Sequence, residues 1–146
     1  MCSCTLADEA HLLDDATLEE IRLLSNADFD RTSPLTVILM GQLQLRSRLK
    51  AGGFDALNQR FRLRYALEGF TLEETVAYIS HHLRLAGLPD DLFTAEAAKA
   101  VFLTCRGIPR AINNACLLSL LRAKEVGATK IDAKLVRQVL DLTELN

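Results

Sequence analysis

Asp8 and Glu9 stand side by side in the string Leu6-Ala7-Asp8-Glu9-Ala10-His11-Leu12-Leu13, after a short strand-like stretch. Adjacent carboxylates in that position can divide two tasks. One can hold a hydrated magnesium ion while its neighbour, pointing elsewhere, polarises a water for attack on a phosphorus atom. An acidic helix entry explains the same two residues equally well, so the pair alone does not decide. The charges around it are segregated. From Asp8 to Asp30 the acids Asp8, Glu9, Asp14, Asp15, Glu19, Glu20, Asp28 and Asp30 face a lone Arg22. From Arg46 to Arg64 the sign reverses, with Arg46, Arg48, Lys50, Arg60, Arg62 and Arg64 opposed only by Asp55. Acids that hold a cation beside arginines that hold an anion suit a metal-phosphate group. Two solvated faces account for the same charges without any ligand.

The remaining chemistry-bearing residues say less. Cys2 and Cys4 with His11 lack the second ligand pair that a structural metal site needs. Cys105 and Cys116 fall on apolar helical stretches, where cysteine acts as a small core residue. No secretory signal or membrane-length apolar run accompanies the four cysteines, which implies a reduced, cytoplasmic setting. With 146 residues, 49% hydrophobic and 25% charged, the chain has globular composition. A net charge of -2 gives no global argument for nucleic acid or membrane as partner.

The elements that would position these residues divide near Gly69, with mixed strand and helix signals before it and helix signals alone after it. Asp15 is placed to cap a helix running to about Asn26. Leu35-Thr36-Val37-Ile38-Leu39-Met40 is the near-continuous apolar run of a strand buried on both faces, and Gly41 stops it. Short helices are expected over about Gln44–Lys50 and Asp55–Asn58. Phe61, Leu63, Tyr65 and Leu67 then alternate with Arg62, Arg64 and Ala66, the period of a strand with one apolar face. Beyond Gly69, Thr71-Leu72-Glu73-Glu74 has capping-box spacing and opens a helix to about Ala86. Thr94 starts another, to about Cys105. Pro109 suits the first position of a third, to about Val126, and Asp132 caps a last one with Leu135, Val139 and Leu142 on its apolar face.

The string Asp8-Glu9-Ala10-His11 resembles the Walker B box of AAA+ ATPases and of superfamily-two helicases. The helicases also require arginine-rich and Ser-Ala-Thr motifs that are missing from this sequence. The chain from about Asp8 onward resembles AAA+ ATPases of the secretion-ATPase (ExeA/GspA) and transposition-helper type. The matching segments, in order, are Leu23-Leu24-Ser25-Asn26, Gly41-Gln42, Phe70-Thr71-Leu72-Glu73-Glu74-Thr75, Phe93-Thr94 and Gly107-Ile108-Pro109-Arg110-Ala111-Ile112-Asn113. The resemblance implies an α/β fold: a truncated nucleotide-binding core with an incomplete parallel sheet over residues 1–69, then a four-helix lid over 70–146. It implies Asp8 as the magnesium ligand with Glu9 beside it, and Glu9 as the base. It implies Gln42 as the sensor-one residue that orients the attacking water. Asn58-Gln59-Arg60-Phe61 looks like the arginine-finger segment, with Arg60 the finger, and Arg110 matches the sensor-two arginine that reaches the nucleotide from the lid. Arginine suits both tasks because its charge is permanent and its planar donors match phosphoryl oxygens. ATP and magnesium are the implied cofactors. A homo-oligomer is the implied assembly, acting with a secretion-apparatus protein or with DNA and a transposase, and this chain carries no integral membrane segment.

One departure matters as much as the match. No Gly-x-x-x-x-Gly-Lys-[Ser/Thr] loop occurs in the sequence, and Met1-Cys2-Ser3-Cys4 replaces an apolar run ahead of Asp8. Without the loop's amides and lysine the triphosphate loses its principal cradle, so the chain is expected not to be an active ATPase by itself. A catalytically inactive helical interaction or DNA-binding module is the alternative. In the implied sheet, the strand carrying that loop lies between Leu35–Met40 and Phe61–Leu67. These two runs are therefore expected either to pair with each other or to leave apolar surface exposed.

Overall fold

The computed structural model describes residues 3–24 and 35–143, with backbone alone for Ser3, Leu142 and Thr143. The chain divides into two compact units, Met1–Tyr65 and Ala66–Asn146.

The first unit is mixed α/β. Strand β1 (Ser3–Ala7) pairs in parallel with β2 (Leu35–Leu39), Ala7 standing opposite Leu39. The stretch ahead of Asp8 thus makes a five-residue strand despite its polar start, because ladder hydrogen bonds engage backbone groups whatever the side chains are. β2 was expected to be buried on both faces. Instead Leu35, Val37 and Leu39 are half-buried while Thr36 and Ile38 are exposed, since an apolar strand is buried twice only where a layer covers each face.

A second correction concerns Phe61–Leu67, which forms no strand, and β2 takes β1 as its partner rather than this run. Alternation states which side chains would share a face, but extended backbone becomes a strand only when its amides and carbonyls find a ladder. Among the described residues none is supplied, and Leu63, Tyr65 and Leu67 are about nine-tenths exposed. The expected exposure of apolar side chains is therefore what the structure displays.

Around β1 and β2 lie a 3-10 turn (Ala10–Leu12) and the helices α1 (Asp15–Leu24), α2 (Leu43–Lys50) and α3 (Asp55–Asn58). The expected ends of α1 at Asn26 and of the loop at Pro34 fall outside the described residues. The cap of α1 is Asp14, one residue before the expected Asp15: Asp14 Oδ1 accepts from the Thr17 amide at 2.8 Å. The hydroxyl and amide of Thr17 hold the Asp14 carboxyl below its ordinary value. Leu18, Leu45 and Leu57 supply buried side chains from α1, α2 and α3.

The second unit is all helix: α4 (Leu72–Leu85), α5 (Ala95–Cys105), α6 (Pro109–Val126) and α7 (Ala133–Thr143). Each starts where its cap residue predicts. Thr71 and Glu74 close a reciprocal capping box, Thr94 Oγ1 accepts from Ala97, Pro109 opens α6, and Asp132 Oδ1 accepts from Leu135 at 2.8 Å. The four helices enclose one core around Val101, Ile112, Ile131 and Val136, each fully buried or nearly so. Cys105 belongs to this core and Cys116 packs against it. Burial pushes the Cys116 thiol up to about 12, as expected for a cysteine acting as an apolar side chain. A backbone crossing ties the entry of α4 to the entry of α6. The Phe70 amide donates to the Gly107 carbonyl at 2.8 Å, and a Cβ on Gly107 would collide with the Phe70 backbone.

Candidate functional site

The acid pair lies on the turn that leaves β1. Asp8 follows the last strand residue, and its Oδ1 accepts from the Glu9 amide at 2.8 Å. Glu9 takes a left-handed backbone, φ 52 and ψ 32. A residue other than glycine adopts this conformation at a cost of order 1 kcal/mol, and such strained residues concentrate at functional turns. The reversal directs the next amide onto the neighbouring strand's end: Ala10 donates to the Met40 carbonyl at 2.7 Å, and Met40 donates to Ala7 at 2.8 Å.

The same fastening sets Gly41-Gln42 directly beside the acidic turn. Its contact is His11, whose side chain is only 8% exposed. His11 Nδ1 lies 3.3 Å from Glu9 Oε2 and 3.4 Å from the Gln42 amide nitrogen. A Cβ on Gly41 would come to 3.1 Å from the His11 amide nitrogen and 3.3 Å from Nδ1, so glycine gives the ring its seat. Arg48, from α2, fixes the turn from the other side. Its guanidinium donates to the carbonyls of His11 and Leu13, pairs with Asp15, and lies over the Phe54 ring.

Four residues of interest therefore meet at the carboxyl ends of two adjacent parallel strands: Asp8, Glu9, His11 and Gln42. Ligands in open α/β sheets bind at such strand ends. Arg60 belongs to a different element, the exposed turn closing α3, where its amide donates to Leu57 at 3.0 Å. Arg64 donates to the Asn58 carbonyl at 2.6 Å and lies over the Phe61 ring, a local structural role. Arg110 is exposed in the first turn of α6, in the second unit. In the sequence His11 stands as the last residue of the Walker B-like string and as a metal partner of Cys2 and Cys4, neither of which places it against Gln42. The signal passed over was Gly41, a residue that leaves space beside a strand end.

Among the described residues no three His, Cys, Asp or Glu side chains group as a metal cage. Magnesium carried by a nucleotide asks for less, since it keeps several waters and takes one or two carboxylates together with phosphate oxygens. The carboxylates of Asp8 and Glu9 fit that donor set. The sequence holds no Gly-x-x-x-x-Gly-Lys-[Ser/Thr] motif to cradle the phosphates themselves.

Residues 2–49 match the AAA domain family. Over 129 residues, 88% of this chain, the sequence is 36% identical to general secretion pathway protein A of Aeromonas hydrophila. The chain belongs to the AAA+ ATPases. It spans 24% of the length of that secretion protein. Solved AAA+ structures share its fold. The RuvB Holliday junction branch migration motor of Thermotoga maritima matches 95% of this chain with a TM-score of 0.72 and 22% identity, using 44% of its own length. The K64R mutant of the same RuvB gives a TM-score of 0.73 over 98% of this chain and 45% of its own. Among the described residues no helix of this AAA+ chain is long and apolar enough to cross a membrane.

Proposed function

We propose that this chain carries the water-activating edge and the lid of an ATP-hydrolysing AAA+ machine of the general secretion pathway protein A type. The observation that carries the reading is the strand-end cluster: an Asp-Glu turn and a Gly-Gln turn fastened together at the carboxyl ends of β1 and β2. Asp8 would hold the nucleotide's hydrated magnesium, which would supply positive charge to neutralise the phosphates. Glu9 polarises the attacking water, and Gln42 orients it. In this reading residues 1–69 form the core portion, with its Walker B acids, and residues 70–146 the lid, with Arg110 as its sensor-two arginine. Arg60 serves as the finger across a subunit boundary in a homo-oligomer. The setting is cytoplasmic, and the work done is secretion assembly, or delivery of DNA to a transposase as the runner-up.

Since the phosphate cradle is not in this sequence, the chain alone should bind Mg-ATP weakly and not hydrolyse it. Calorimetric titration tests this. Heats that fit a dissociation constant of about 10 μM or tighter, near 7 kcal/mol of binding free energy, would contradict it.

Arg60 is tested in a form of the protein supplied with a phosphate-binding segment. Arg60→Ala and Glu9→Gln proteins, each inactive by itself, should regain turnover when mixed, because some subunit boundaries then combine an intact finger with an intact base. No recovery in mixed oligomers removes Arg60 from a role in trans.

The second unit encloses a core of its own. That observation favours, as a second reading, a helical interaction module that works without nucleotide.

A further inference from the structure

His11 makes two contacts through one atom. Nδ1 stands 3.3 Å from a Glu9 carboxylate oxygen and 3.4 Å from the Gln42 amide nitrogen. A neutral imidazole carries its proton on one nitrogen and offers a lone pair on the other. With the proton on Nε2, Nδ1 accepts from Gln42 and turns a lone pair toward the Glu9 oxygen, which is then not held. With the proton on Nδ1, the ring donates to Glu9 and the Gln42 amide loses its acceptor. The two contacts exclude each other.

We propose that His11 is a positioning residue whose Nδ1 is shared between Glu9 and Gln42, so that holding one releases the other. Three features keep the ring in that place. Glu9's left-handed backbone bends the chain back over β2, Gly41 leaves room for the ring, and Arg48 clamps the His11 and Leu13 carbonyls while pairing with Asp15. The consequence for catalysis rests on the reading of Glu9 as the base. A carboxylate bound to His11 is occupied, and one released is available to water, while the Gly41-Gln42 turn is fixed when Glu9 is free and loosened when it is not. His11 would thereby make the acid and the water-orienting turn ready in the same state, without touching the reacting atoms.

The test is amide hydrogen exchange of Gln42 in the full chain, with the Ala10 amide, bound to Met40 by backbone alone, as internal reference. ATP plays no part in it, so failure of the ATPase reading leaves the result intact. His11→Ala should speed Gln42 exchange about fivefold relative to Ala10, the scale of one modest hydrogen bond. His11→Asn, which places an acceptor where Nδ1 stood, should restore protection, and His11→Gln, which reaches instead toward the Nε2 position, should not. Glu9→Asn removes the rival side chain at a backbone that asparagine tolerates. It should make Gln42 exchange slower than in the unaltered protein, a result that simple packing by His11 would not produce. If His11→Ala does not fold, the Asn and Gln variants still decide. Equal protection in those two, or unchanged or faster exchange in Glu9→Asn, overturns the proposal.

Discussion

Single residues settle geometry here where backbone must come close to backbone or to a ring. Gly107 combines a φ of 73 with a crossing in which any Cβ would collide with Phe70. Gly87 has nearly the same φ, 71, in open space. Alanine at Gly87 therefore meets only the left-handed penalty, about 1 kcal/mol, whereas alanine at Gly107 adds a displaced backbone contact and should cost about 3 kcal/mol. Urea unfolding of the two variants isolates the crossing, and equal losses would show that the Phe70 approach yields without strain. Glu9 is the counterpart in the first unit, a non-glycine residue in the left-handed region whose carboxylate is the proposed base. Its identity as an acid was readable from sequence. Its backbone reversal was not, because Asp8 suits a turn but glutamate, unlike Gly or Asn, does not signal a left-handed backbone at position 9.

At the scale of elements, legibility followed locality. Each helix after Gly69 announces itself within a few residues: a capping box at Thr71, a threonine cap at Thr94, proline at the first position of α6, aspartate at Asp132. Strand pairing is non-local, and the alternation of Phe61 to Leu67 states a face without naming a partner. Among the described residues that run has no partner and β2 has only β1, one parallel pair where independent sheets need three or more strands or a packed layer. Protection from native hydrogen exchange should accordingly concentrate in α4 to α7, around Val101, Ile112, Ile131 and Val136, with faster exchange through β2. Equally slow exchange through β2 in a monomer would mean that the first unit closes a core as firm as the second.

For the whole molecule, the candidate site was legible as residue types in order and illegible as an arrangement. Asp8, Glu9 and Gln42 could be named from the string, but their meeting depends on the parallel register of Ala7 with Leu39 and on the bridge from Ala10 to Met40. His11 is part of the Walker B-like string, but nothing in that string says that its ring stands beside both Glu9 and the Gln42 amide. In the proposed function this AAA+ chain contributes the acid that activates water and not the cradle that binds phosphate. The measurement that bears on it most directly is turnover at saturating Mg-ATP by Glu9→Gln, in the form supplied with a phosphate-binding segment. An amide keeps the shape of the carboxylate but cannot take the proton, so the rate should fall about a hundredfold or more while nucleotide affinity stays within about threefold. Turnover within about threefold of the unaltered protein, with the same affinity, would show that Glu9 is not the base and that the strand-end cluster serves another purpose.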